Sequence, residues 1–231
     1  MKQSDGRIFV VGLTGNIGSG KSTISNFLKE KQIPLIDADI ISREVMIKHP
    51  SILKEIEDNF GNDFFDENGN LIRKKLGNAI FLDITKKIKL EEIIIPYIIK
   101  DIFQKVKEYD DNGDKICVVD APTLIENNLH FYMNAIILVM VDKNLQLKRV
   151  MERDSLNLQD AISRIDNQMP QEEKLKYADF VISNNGTKDN AKKQLDEILI
   201  LLNNFRGKDG KKKESCNVNH TNHIIANGDQ L

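Results

Sequence analysis

The sequence has few cysteines and no long apolar run. Its two cysteines among 231 residues are Cys117, in an apolar stretch, and Cys216, in a polar one. Because these settings differ, the pair does not indicate a disulfide framework, and we expect a reducing, cytoplasmic location. No stretch approaches the roughly 18 uninterrupted apolar residues of a membrane span. The first apolar run covers only residues 8–13, so we predict neither a membrane span nor a signal peptide.

An excess of charge of one sign is also absent. The chain has 33 basic and 35 acidic side chains, which gives a formal net charge of -2. This balance excludes a chain whose main task is to grip nucleic acid or an anionic membrane. Hydrophobic residues at 40% and charged residues at 29% are typical of a globular protein. We expect one large domain, a monomer or weak homo-oligomer, without nucleic-acid or membrane partners.

Short apolar runs alternate with segments of helical periodicity, the arrangement of an α/β fold with a five-stranded parallel sheet. The runs that predict buried strands are 8–13, 33–36, 116–119, 135–141 and 180–182. Between the second and third runs, residues 40–111 predict a helical insertion. Pro96 interrupts this insertion, so we expect one helix to end near Ile94 and another to run from Pro96 to about Tyr109.

The rest of the chain completes the predicted organisation. Residues 142–177 predict a second helical segment, in which Pro170 opens a new helix, and residues 188–205 predict the last helix. Residues 206–231 are polar, and we predict a disordered, solvated tail. A single domain therefore covers residues 1–205. Its predicted core consists of residues 8–39, 112–141 and 178–205.

The segment Gly15–Ser22 matches the pattern GxxxxGK(S/T), the P-loop. It follows a predicted strand and precedes an amphipathic helix over 23–31, so its backbone amides and the helix N-terminus can surround phosphates. Lys21 is expected to bridge the outer phosphates of a nucleoside triphosphate, and the Ser22 hydroxyl to bind Mg2+. The alternative is a glycine-rich turn without a ligand. The predicted nucleotide contacts in this region are Asn16, Ile17, Gly18, Ser19, Gly20, Lys21, Ser22 and Thr23.

Carboxylates follow two of the predicted strands. Asp37 and Asp39 come after the second strand, and if the chain is still extended there, both side chains project from the same face at the edge where ligands bind. One of them could accept a proton from an attacking hydroxyl. The alternative is that Asp39 caps the following helix. Asp120 ends the third strand, where it either holds the hydration shell of Mg2+ or caps the next segment.

Two arginines, Arg149 and Arg153, are four residues apart after the fourth strand and share one helix face. Guanidinium groups spread charge over the oxygens of a transferring phosphoryl group, so this helix is predicted to form a lid over the nucleotide. The neighbouring acidic residues also permit a surface salt-bridge face.

Taken together, these motifs closely resemble the dephospho-CoA kinase family. The resemblance covers about residues 8–204. The residues that carry it are Val11 to Thr23, Ile36 to Asp39, Arg43, Phe60, Gly61, Gly69, Arg73, Leu76, Phe81, Pro122, Leu124, Glu126, Leu147, Arg149, Arg153, Asp154, Arg164, Ile165, Gln168, Lys174, Ala178, Asp179, Ile182, Asn184 and Gly186.

The resemblance implies a P-loop NTPase three-layer core with a helical CoA-binding insertion and a helical lid. It also implies transfer of the γ-phosphoryl group of ATP to the ribose 3'-hydroxyl of dephospho-CoA, giving CoA and ADP. It assigns the general base to Asp39. Lys21 and Arg149 are the other predicted catalytic groups, which stabilise the charge on the transferred phosphoryl group. The predicted substrate contacts are Thr14, Asp39, Arg43 and Arg73. Ile95 and Thr123 depart from the family pattern, which has histidine and leucine there, and both departures concern the substrate pocket.

Two other functions compete with this interpretation. A P-loop kinase for another small acceptor, such as a nucleoside monophosphate, would share the core and the lid. A GTPase-like switch would use Asp66–Gly69 as its DxxG motif. That segment follows no convincing strand, however, and the chain lacks the NKxD guanine-reading motif.

Overall fold

The computed structural model describes residues 8–206 and 224–225, which form two compact units. One unit holds the described residues up to Ile36 and from Val106 onward, and the other holds Asp37–Lys105. Among the described helices, none combines the length and the apolar content that a membrane span requires. The division of residues 1–205 into core, insertion and lid remains a prediction.

A parallel sheet forms the centre of the first unit, and its strand order is β2-β3-β1-β4-β5-β6. The strands are β1 (Phe9–Thr14), β2 (Leu35–Asp37), β3 (Ile116–Asp120), β4 (Ala135–Met140), β5 (Phe180–Ser183) and β6 (Ile224–Ile225). Strands β1 to β5 confirm the predicted five-stranded parallel sheet. Strand β6, parallel to β5, was not predicted. The rest of the predicted disordered tail after Arg206 lies outside the described residues.

Strand β1 lies between β3 and β4, with Val11 opposite Val118 on one side and Ala135 on the other. All of its residues except Phe9 are buried, as is typical of a strand in the middle of a parallel sheet. The helices of this unit are α1 (Lys21–Glu30), α6 (Lys143–Asp154), α7 (Leu158–Asp166), α8 (Gln171–Lys174) and α9 (Lys188–Arg206). The buried core includes Val11, Leu13, Ile24, Leu28, Ile137, Val139, Ile182 and Leu195.

The second unit is helical and has its own core. Its helices are α2 (Ala38–Lys48), α3 (Ser51–Phe60), α4 (Arg73–Leu82) and most of α5 (Ile84–Asp111). Buried residues from all four helices pack together: Val45, Ile52, Ile56, Leu76, Leu90 and Ile93. Between α3 and α4, the Asp66 carboxylate accepts hydrogen bonds from the backbone N–H groups of Asn68 and Asn70, which fixes the polar turn.

The prediction of two helices separated at Pro96 is wrong, because α5 continues through this residue. A proline inside a helix removes one hydrogen bond and costs about 3 kcal/mol. Pro96 is exposed, so the carbonyl that loses its partner can be solvated by water. Buried side chains on both sides, Ile93 and Ile102, supply apolar contacts that offset this cost.

Candidate active site

The P-loop runs from the end of β1 into α1. Gly18 and Gly20 have positive φ angles of 77° and 86°, and Gly20 is the N-cap of α1. The left-handed conformation at Gly20 lets α1 begin at Lys21, two residues earlier than predicted. The Ser22 side chain in the first turn is exposed, and Thr23 is half-buried. The first turn of α1 is thus open to solvent in part, and a helix N-terminus is a place where anions bind.

Close contacts exclude a side chain at two glycines of the loop. A Cβ at Gly15 would lie 2.7 Å from the Ser19 Oγ and 2.8 Å from the Val139 carbonyl oxygen. A Cβ at Gly20 would lie 1.9 Å from the Nδ2 of Asn184. The loop is thus packed against β4 and the segment after β5. An ordinary glycine-rich turn does not require such close packing.

Lys21 forms a salt bridge with Asp120 at the end of β3. Asp120 is buried, and its Oδ2 accepts a hydrogen bond of 2.5 Å from the Ser25 hydroxyl. Both carboxylate oxygens thus bind side chains of α1. Asp120 holds the Lys21 ammonium in the site, rather than capping the segment that follows β3.

Arg149 and Arg153 have different surroundings on α6. Arg149 is half-buried and donates hydrogen bonds to the Gly18 carbonyl at 3.4 Å and the Asn184 carbonyl at 3.0 Å. Arg153 is exposed and binds both carboxylate oxygens of Asp154, at 2.8 and 2.9 Å. Hydrogen bonds from Arg153 hold the pKa of Asp154 below its ordinary value. The structure therefore places Arg149 beside the P-loop and gives Arg153 another partner.

Side chains outside the motif hold the P-loop in place. Asn184 Nδ2 donates to the Ser19 carbonyl, Gln146 Nε2 donates to the Ile17 carbonyl, and Gln168 Oε1 accepts from the Ile17 N–H, each at 2.8 Å. From within the motif, Asn16 Nδ2 donates a hydrogen bond of 2.8 Å to the Met169 carbonyl. Gln146, Gln168 and Asn184 were not among the predicted site residues. Gln168 and Asn184 belong to the closing part of the family pattern, which was the available signal, whereas Gln146 had none.

Asp37, not Asp39, caps α2. Its side chain accepts hydrogen bonds from the backbone N–H groups of Asp39 at 2.9 Å and Ile40 at 3.1 Å. Strand β2 ends at Asp37, so the condition of an extended chain through Asp39 is not met, and the alternative of a cap at Asp39 is wrong. Asp39 lies exposed in the first turn of α2. Asp37 and Asp39 therefore do not share a strand face.

The other predicted substrate residues lie in different environments. Arg43 is exposed on α2, four residues after Asp39 and so on the same helix face. Arg73 is the exposed first residue of α4. Thr14 is fully buried, and its hydroxyl donates a hydrogen bond of 3.1 Å to the Pro122 carbonyl.

The parallel sheet, the glycine-lined loop entering α1, the lysine at its start and the arginine beside it define a P-loop kinase. The family model for dephospho-CoA kinase matches residues 9–190. The chain belongs to the dephospho-CoA kinase family.

Individual relatives agree with this assignment. The chain is 49% identical over 189 residues to a dephospho-CoA kinase of Clostridium perfringens, which covers 82% of this chain and 95% of the relative. It is 43% identical over 203 residues to a dephospho-CoA kinase of Clostridium tetani, covering 87% and 89% of the two chains. The structure of the dephospho-CoA kinase from Campylobacter jejuni matches with a TM-score of 0.63 and 27% identity, covering 85% of this chain and 98% of that one.

Proposed function

We propose that this protein transfers the γ-phosphoryl group of ATP to the ribose 3'-hydroxyl of dephospho-CoA, giving CoA and ADP, the last step of CoA biosynthesis. The observation that carries the proposal is the match to the dephospho-CoA kinase family over residues 9–190. The glycine-lined loop supports it, because a kinase needs a fixed cradle for the phosphates of ATP.

In this proposal, ATP binds along Asn16–Thr23. When the outer phosphates arrive, the Lys21 ammonium exchanges Asp120 for phosphate oxygens. Arg149 already donates to the Gly18 carbonyl, so its guanidinium can reach a phosphoryl group in the loop. Arg153 reaches the nucleotide only after leaving Asp154, which is a motion we assign to the proposed lid over 142–177.

Mg2+ fits the donors of this site. The described residues contain no cluster of three or more His, Cys, Asp or Glu side chains that could bind a metal alone. Mg2+ in kinases instead takes one or two protein oxygens together with phosphate oxygens and water. The exposed Ser22 hydroxyl supplies such an oxygen, and Asp120 is a second candidate. When bound, the ion neutralises charge that develops on the phosphates.

Asp39 is the proposed general base. The 3'-hydroxyl oxygen forms a bond to the γ-phosphorus, the bond to the β,γ-bridging oxygen breaks, and the hydroxyl proton passes to the Asp39 carboxylate. The proposal assigns Arg43 and Arg73, both exposed, to the anionic groups of dephospho-CoA, and Thr14 to the same substrate. The exposed position of Asp39 in the first turn of α2 supports access to a hydroxyl.

The proposed setting is a cytoplasmic monomer or weak homo-oligomer. The two cysteines stand in unlike sequence settings, one apolar and one polar, which supports a reducing compartment.

The deciding experiment measures ADP release with and without dephospho-CoA, followed by the mass of the product. The expected result is ADP release that depends on dephospho-CoA and a product heavier by one phosphoryl group. If ADP release depended on a nucleoside monophosphate and not on dephospho-CoA, the protein would be another small-molecule kinase. Tighter binding of GTP than of ATP would indicate a switch protein.

A further inference from the structure

Lys174, the last residue of α8, is a lysine whose side chain is 0% exposed. Its Nζ lies 2.9 Å from Glu126 Oε1 and 2.6 Å from the Pro122 carbonyl oxygen. Burial lowers the pKa of Lys174, whereas the hydrogen bond and charge of Glu126 raise it. Removing an ammonium from water costs several kcal/mol, and an apolar side chain of similar size would avoid this cost. Packing alone therefore does not explain a charged side chain at this position.

One contact of Lys174 leads to the start of the P-loop. The Pro122 carbonyl accepts hydrogen bonds from both the Lys174 ammonium and the Thr14 hydroxyl. Thr14 is the last residue of β1 and directly precedes the loop, and Pro122 follows Asp120 by two residues. Through Pro122, Lys174 is thus connected to the end of β1, which carries the loop. The same contact fixes the segment that directly follows Asp120, the partner of Lys21.

The other contact leads to the first half of the P-loop. Glu126 Oε1 accepts hydrogen bonds from Lys174 and from the Met169 N–H, the latter at 3.3 Å. The Met169 carbonyl in turn accepts the hydrogen bond from Asn16 Nδ2 at 2.8 Å. Both routes from the ammonium end on residues that flank or form the phosphate cradle.

We propose that Lys174 is a positioning residue for the ATP site: its ammonium holds the segments 122–126 and 168–169 against the P-loop through Pro122 and Glu126. The inference rests on the proposed use of the loop for ATP, and does not depend on the identity of the acceptor. Lys174 does not touch the reacting atoms, and its effect is on the geometry of the cradle.

The test compares the variants K174M and K174M/E126Q with wild type. Direct binding of ATP, without any acceptor, is measured together with kcat, both KM values and the melting temperature. K174M leaves the half-buried Glu126 charge without its partner, so it should melt at a lower temperature. K174M/E126Q removes both charges and keeps an acceptor for the Met169 N–H, so its melting temperature should largely recover.

The two possible roles of the pair predict different ATP affinities. A positioning role predicts that the Kd and KM for ATP stay raised by about tenfold in the folded double variant, while the KM for dephospho-CoA changes by less than about twofold. The matched control is K176M, which replaces an exposed lysine two residues away and should bind ATP like wild type. Wild-type ATP affinity in K174M/E126Q would overturn the proposal, because the pair would then serve stability only. If the double variant showed the expected rise in the Kd for ATP, but the wild-type protein did not phosphorylate dephospho-CoA, the result would instead contradict the proposed function.

Discussion

Asn184 occupies the space that a side chain at Gly20 would need. The Nδ2 of Asn184 would lie 1.9 Å from a Cβ at Gly20, and this nitrogen donates a hydrogen bond of 2.8 Å to the Ser19 carbonyl. The Asn184 carbonyl also accepts a hydrogen bond from Arg149 at 3.0 Å. The segment after β5 thus sets the shape of the phosphate cradle and the position of the arginine beside it.

Replacing Gly20 with alanine should therefore abolish tight ATP binding. The substitution forces a Cβ into the left-handed region, which costs about 1–2 kcal/mol, and displaces Asn184 as well. We expect the Kd for ATP to rise by at least about tenfold, measured by equilibrium binding. The control is Gly113→Ala, at φ 85° with no atom within 4 Å of the added Cβ. It should lose stability without losing ATP affinity, and equal loss of affinity in both variants would contradict the role of the Asn184 contact.

Arg149→Ala should reduce turnover more than binding. Its guanidinium is held beside the loop by two carbonyls and would stabilise charge that develops during transfer, so kcat should fall by about 100-fold or more. Steady-state kinetics with both substrates would measure this effect. Lys148→Ala is the control on the same helix, because Lys148 is exposed and pairs at the surface with Glu152 at 3.9 Å. An unchanged kcat in Arg149→Ala would remove Arg149 from the catalytic groups.

The sequence indicated the sheet and the loop because both depend on local patterns. Apolar runs marked the strands, and the spacing from Gly15 to Ser22 marked the cradle. The supports of the cradle were missed because Gln146 and Asn184 contact it from 129 and 165 residues away in the chain.

Two local predictions failed because other contacts prevailed. Buried side chains before and after Pro96 keep α5 continuous. The Asp37 cap begins α2 early and so removes Asp39 from the strand.

Cys117 should resist alkylation in the folded protein. Burial raises the pKa of its thiol to about 12, with the charges of Asp114 and Asp110 adding to this effect, so the reactive thiolate is scarce at pH 8. In a Cys216→Ser variant, iodoacetamide should add no mass under native conditions and one label in denaturant. Rapid native labelling would contradict the burial of this residue in β3.

Asp101 should contribute a pH-dependent part of the stability. Burial alone would raise the pKa of Asp101, but hydrogen bonds from Lys48 and His49, both 2.9 Å long, lower the pKa below 3.8. A lowered folded pKa means that the contribution is complete above pH 3.8 and is lost as the pH falls through the folded value. Asp101→Asn should therefore destabilise the protein by about 2 kcal/mol at pH 7 in urea unfolding, and by less below pH 3.8. The exposed Asp58→Asn serves as control, and a difference that does not depend on pH would contradict this account.

Asp39→Asn tests the proposed base directly. Asparagine keeps the size and polarity of the side chain but does not accept the hydroxyl proton, so kcat should fall by about 100-fold or more. Both substrates should bind with little change, measured separately by equilibrium binding. Asp37→Asn is the matched comparison, because asparagine caps a helix as well as aspartate does and should preserve α2. If Asp37→Asn lost turnover and Asp39→Asn retained it, the proton would pass to the capping carboxylate, and the assignment of the base to Asp39 would be wrong.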